Sequence, residues 1–191
     1  YHLYMECVNT DDVVSSVSGD AIFPLDLNTT TSFFQEALGA ATPNAVNPLL
    51  FGFFPDLEYD SWVTIGISQQ PDGAANEGEV SVVESPTQAW LLPFETGGNI
   101  VIDDPTGGAW FVTQNYSNGI AGDDHKVLLA QLTTDGEISG TLLVQVFEHG
   151  VGESDLRFHL SFDGTNGSGA GGCIDPEADN YNDTAAVDDG S

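Results

Sequence analysis

The feature that most limits the folds open to this chain is its punctuation. Apolar runs of a few residues recur along it, and Gly, Pro, Asp and Asn cut each one before a helical period can build up. Within the runs the alternation is of period two. Trp62, Thr64, Gly66 and Ser68 face one way, and Val63, Ile65 and Ile67 the other, so one face of such a strand packs inward. By this criterion strands are expected at 1–9, 13–17, 21–27, 62–68, 79–84, 89–94, 99–103, 109–113, 125–133, 137–148 and 155–162. Pro24 denies the third of these a backbone donor and favours an edge or a bulge there. Thr134, Asp135 and Gly136 read as the turn of a hairpin. Residues 28–55 break the pattern. One or two helical turns are expected between Thr29 and Ala41, and the many apolar residues of 33–54 predict a segment that packs over the strands or forms an interface. The expected fold is all-β: an antiparallel β-sandwich, jelly-roll-like, with a short irregular C-terminal tail. The sandwich is placed at 1–162, a Gly-rich linker at 163–172, and an acidic, cysteine-containing, repeat-like tail at 173–191.

At 191 residues there is enough chain for one domain with a sizeable core. The charge balance bounds what that domain can touch. Thirty acids stand against two bases, Lys126 and Arg157, for a net charge of −28. Nothing could neutralise phosphates, so no nucleic-acid partner is expected, and anionic membranes would repel the chain. Self-repulsion on this scale calls for salt or divalent cations, which suits a saline extracellular setting. No apolar run approaches the roughly 20 residues of a membrane-spanning helix, so no membrane insertion is expected. The start at Tyr1 reads as that of a mature or excised segment. Four sequons, at Asn28, Asn115, Asn166 and Asn182, add support for secretion and glycosylation. Cys7 and Cys173 are either a long-range disulfide, two separate thiols, or thiols with partners outside the segment.

Chemistry is harder to find. Calcium takes six to eight oxygens. Three acidic places could supply them: Asp56, Glu58 and Asp60; Asp103 and Asp104 with Asp123 and Asp124; and, in the tail, Asp175, Asn180 and Asp188 with their neighbours. The competing reading is of solvated turn aspartates that cap loops. His2, His125, His149 and His159 are scattered without metal-ligand spacing and are expected as surface or strand residues. No nucleophile elbow, Cys/His pair, phosphate loop or dinucleotide motif is present, and no organic cofactor is implied. Trp62 and Trp110 read as core. Trp90, beside Leu91, Leu92 and Pro93, is the aromatic expected at a ligand surface.

The tail carries a specific pattern. Gly172, Cys173, Asp175, Pro176, Ala178, Asn180 and Tyr181, followed by Asp188, Asp189, Gly190 and Ser191, fit the form GC-x-DP-x-A-x-NY with a closing DDGS. This resembles a short repeat of large secreted surface proteins of marine bacteria, especially Bacteroidota, and of some algal and viral proteins. In that repeat a second cysteine follows the closing serine. The main domain, through Thr29–Phe34, Asn47, Pro48, Tyr59–Gly66 and Asp104–Trp110, is similar to modules found beside such repeats. The resemblance implies an extracellular, modular, structural or adhesive role and no enzymatic activity. The expectation is a secreted building block at the cell surface that self-associates into a filament or layer with help from divalent cations. A non-catalytic carbohydrate-binding module, with glycans as partner, is the alternative. A glycoside hydrolase is a weaker third.

Overall fold

The computed structural model describes residues 1–164 and 166–168. Its strands are β1 (His2–Glu6), β2 (Val13–Gly19), β3 (Leu25–Thr29), β4 (Trp62–Val63), β5 (Ser81–Val83), β6 (Ile100–Ile102), β7 (Gly108–Phe111), β8 (Lys126–Gln131), β9 (Ile138–Phe147), β10 (Asp155–Asp163) and β11 (Asn166–Ser168), and its one α-helix is α1 (Leu91–Glu95). They form two sheets with every pairing antiparallel. The small one runs β1-β8-β4. The large one runs β11-β10-β9-β2-β7-β5, with β3 joined to β9 and β6. The chain is therefore an all-β protein of two antiparallel layers, as its punctuation predicts.

β9 is the spine of the large sheet. One edge pairs with β10 along its whole length, Phe147 opposite Asp155 through Ser139 opposite Asp163. The other edge is shared end to end: β2 takes Leu143–Phe147 and β3 takes Ile138–Thr141. Alternation decides which side chains point inward. Ile138, Leu142, Val144 and Val146 are buried, whereas Ser139, Thr141 and Gln145 are half-exposed. The layers meet around two tryptophans whose ring centroids lie 5.8 Å apart. Trp110 of β7 donates its indole N–H to Thr64 O at 3.1 Å, and Trp90 donates to Val83 O at 3.0 Å, so neither buries an unsatisfied donor.

Several local expectations need correction. Thr134–Gly136 is not a hairpin, because β8 and β9 belong to different sheets. Thr134 Oγ1 bonds Thr29 Oγ1 and Thr31 Oγ1, and Thr30 Oγ1 accepts from Glu137 N–H. The corner is thereby tied to the end of β3 and carried into the other layer. The strand expected at 89–94 is α1 instead. Glu84 Oε1 accepts the N–H groups of Trp90 and Leu91, both at 2.7 Å, and Pro93 lies in the first turn, where a missing donor costs nothing. The strand expected at 62–68 pairs only at Trp62 and Val63, since Gly66 turns away with φ +76°. No helical turn forms between 33 and 41. The helical turns come later, as three short 3₁₀ turns at Pro43–Ala45, Pro48–Leu50 and Pro55–Tyr59, each opened by proline. The sheet also runs past residue 162, because β11 pairs back onto β10 across the turn at Gly164. The repeat-like tail lies outside the described residues.

The 43–60 segment packs over the small sheet. Val46 and Phe51 meet Trp62 and Leu128 in a second apolar cluster, apart from the main core.

Candidate functional site

At one end of the sandwich the loop from β1 to β2 meets the loop from β9 to β10. Asp12, 4% exposed, binds them together. Its Oδ2 accepts from Asn9 N–H at 2.8 Å, and its Oδ1 accepts from Asn9 Nδ2 and from His149 N–H, both at 3.0 Å. Burial pushes the Asp12 carboxyl up, but these donors outweigh it and hold the group below the usual aspartate range. His149 sits in left-handed backbone, φ +51°, which turns its ring back toward Asp11. Nδ1 of His149 and Oδ1 of Asp11 are 2.9 Å apart.

Ligand atoms of Asp11, Asp12 and His149 all lie within 4.8 Å of one another, so the group can hold a metal ion. Two carboxylates and an imidazole suit a borderline divalent ion better than calcium, which prefers oxygen alone. Asp12 Oδ1 already accepts two hydrogen bonds. A bound ion would therefore draw on Asp12 Oδ2, on Asp11, and on the ring nitrogen that Asp11 now engages. The bond from Asp11, and then its charge, raises the His149 pKa above the ordinary 6.5. The interaction is present below the ordinary histidine pKa and is lost as pH rises through the raised one. Asp11→Asn should bring the His149 midpoint back down, as read by an NMR titration of its ring protons. An unchanged midpoint would remove Asp11 as the cause.

The acids singled out from the sequence do not converge in this way. Asp56 and Glu58 are exposed, while Asp60 is fully buried. Asp60 Oδ1 accepts from Glu36 N–H at 2.8 Å and Oδ2 from Ala40 N–H at 3.1 Å, which makes it a clamp on the 36–40 loop. Asp103 Oδ1 accepts from Gln88 Nε2 at 2.6 Å. Asp104 takes the hydroxyls of Ser85 and Thr87 on one oxygen and Gly107 N–H on the other. These two acids lock neighbouring turns together, as turn aspartates do. Asp123 and Asp124 are exposed, and the charge of Asp124 bears on Lys126. Among the described residues none of these acids joins a group of three ligand atoms. Asp175, Asn180 and Asp188 lie outside the described residues.

Trp90 must be corrected outright. It is 1% exposed and stacked toward Trp110 in the core, so it presents no face to a ligand. Of the sequons, Asn115 is exposed in a loop, and its Oδ1 accepts the Thr113 hydroxyl. Asn28 is half-buried on β3, between β6 and β9, with its amide donating to Asp26. Asn166 opens β11, and Asn182 lies outside the described residues. Cys7 is half-buried against the core, and burial, then the Asp12 charge, pushes its thiol up to about 12. Cys173 lies outside the described residues.

Two features escape sequence reasoning. One is the Asp11, Asp12 and His149 group, whose members the topology alone brings together. The other is an apolar shelf on the 3₁₀ turns of the 43–60 segment. Leu49 is 82% exposed and Phe53 79%, with Leu50 and Phe54 also facing solvent. The signal for the shelf was the density of apolar residues at 49–54, but only the structure tells its inner side from its outer.

No family model matches the chain, and no curated protein or solved structure matches it either. Its function must be argued from its own surfaces. No described helix is long and apolar enough to cross a membrane.

Proposed function

We propose that this chain is a secreted structural or adhesive building block that associates with copies of itself into an extracellular filament or surface layer. Divalent cations, calcium among them, hold down the repulsion between subunits. The observation that carries this reading is the shelf of Leu49, Leu50, Phe53 and Phe54. A soluble chain with a net charge of −28 has abundant means to keep its surface polar. Large apolar side chains left together on one outward segment mark a place where another surface docks. The segment beneath is held in place through Val46 and Phe51, so the shelf is presented by a fixed support. At about 25 cal/mol per Å² of apolar area, covering it contributes several kcal/mol per contact, which screened charges can permit.

Negative-stain electron microscopy of native material, with and without EDTA, tests the reading. Regular assemblies that fall apart in EDTA are expected. Assembly should also fail in the double variant Leu49→Ser, Phe53→Ser, whose substitutions lie outside the core. Isolated particles in every condition would overturn the proposal and leave the glycan-binding module as the reading to pursue.

A further inference from the structure

The large sheet ends unevenly. β9 pairs with all of β10, but β11 covers only Ser161–Asp163 of β10's other edge. Among the described residues no strand pairs with that edge at 155–160. The inward row of β10 is also poorly covered: Phe158, Leu160 and Phe162 are half-buried and Leu156 is 41% exposed. An unpaired edge beside a half-covered apolar row is a place for one more stretch of chain.

We infer that residues 169–174 of this chain continue β11 along the free edge of β10, and that Cys173 is thereby brought to Cys7, with which it forms a disulfide across the open side of the sandwich. Register carries the first half. Ser161 pairs with Ser168, Phe162 with Gly167 and Asp163 with Asn166. Extending that antiparallel register sets Gly169 opposite Leu160, Gly171 opposite Phe158, and Cys173 opposite Leu156. Glycine then recurs at each place facing a large inward side chain until the cysteine. The sheet already uses this arrangement elsewhere: Phe162 is paired with Gly140 of β9, and a Cβ on that glycine would run into the Phe162 ring.

Position along the sandwich carries the second half. Leu156 is paired with Val146, and Val146 with Val14 at the start of β2. Cys7 ends β1 at this same end, a single loop before β2. It is close enough to Asp12 for that charge to bear on it, and it packs against the core in the company of Leu3. β1 is the edge strand of the small sheet, as the β11 continuation would be of the large one. A bond between the two edges shuts the side on which Leu156, Phe158, Leu160 and Phe162 are least covered.

The chemistry needs a disulfide oxidant, and oxidised glutathione serves as the probe. The Cys173 thiolate attacks it and releases one glutathione thiol. Cys7 then attacks the mixed disulfide and releases the second. Two S–H bonds are lost, one S–S bond forms, and the oxidant is reduced to two thiols.

The sequence supplies a simple assay. Lys126 and Arg157 are the only tryptic sites, so complete digestion yields 1–126, 127–157 and 158–191. The folded full-length chain is treated with oxidised glutathione, alkylated, denatured and digested without reduction. The expected product is 1–126 joined to 158–191, converted to separate peptides by reductant. It should form at least about tenfold faster in the native protein than in concentrated guanidinium, because the fold raises the effective concentration of one thiol at the other. Separate peptides that each carry glutathione or the alkyl group would overturn the inference. So would a covalent dimer through Cys173, or linkage that speeds up on unfolding. In Cys7→Ser, Cys173 should stop at the mixed disulfide.

Discussion

Gly66→Ala should be among the most damaging single-methyl changes available in this protein, lowering stability by about 4 kcal/mol. Two costs add. Gly66 has φ +76°, a conformation that costs an alanine about 1–2 kcal/mol. The new Cβ would also fall inside the van der Waals shell of the Asn118 carbonyl oxygen. That oxygen cannot retreat easily, because Asn118 is buried and held in place by its side chain. Nδ2 donates to Ile65 O at 2.9 Å and Gly78 O at 3.2 Å, and Oδ1 accepts from Gly78 N–H at 3.1 Å. Gly122→Ala provides the control. Its φ is +70°, but its Cβ would meet only Asp124 Oδ1, at 3.6 Å, so it should lose the conformational cost alone. Urea unfolding of both variants measures the difference. Equal losses would mean that Asn118 yields and that the hub has been overrated.

The second large effect is at Asp60. Asp60→Ala strips the acceptors from Glu36 N–H and Ala40 N–H in a part-buried loop, at a cost of about 2–4 kcal/mol. Its neighbour leaves no room for repair: a Cβ on Gly39 would overlap the Asp60 carboxylate, so the loop is shaped around that group. Burial, working against the two N–H donors, pushes the Asp60 pKa up to about 6. The unfolded chain holds that proton only below about 4. Between those values the folded protein binds more protons than the unfolded one, so this group's contribution falls as pH rises. The stability gap between the parent and Asp60→Asn should therefore be widest near pH 4 and narrow toward pH 7. Comparing the two proteins cancels the repulsion among the other carboxylates, which changes over the same range. A gap that widens with pH would mean that the donors outweigh burial.

Period-two alternation made the layers legible because it is written locally, in which neighbours share a face. It found most strands within a few residues and placed Trp62 and Trp110 inside. It failed where a distant group decides the local conformation. Glu84 turns 91–95 into a helix, and Thr29–Thr31 pull the corner at 134–137 away from β8. The candidate site was less legible still. A run such as Asp103 and Asp104 looks the same in sequence whether it binds an ion or closes a turn. Asp11, Asp12 and His149 become one group only because β2 starts beside the end of β9.

The way β9 shares its edge sets an order of events during synthesis. β1 pairs only with β8, β2 only with β7 and β9, and β3 only with β6 and β9. Every partner of the first three strands lies at residue 100 or beyond. The N-terminal strands therefore emerge with nothing to pair with and wait, open, while more than half the chain is made. Such distant pairing makes folding slow and leaves apolar edges free to find the wrong partner. The dense negative charge has a use at that stage, since it keeps the unpaired chains of neighbouring molecules apart until β9 arrives.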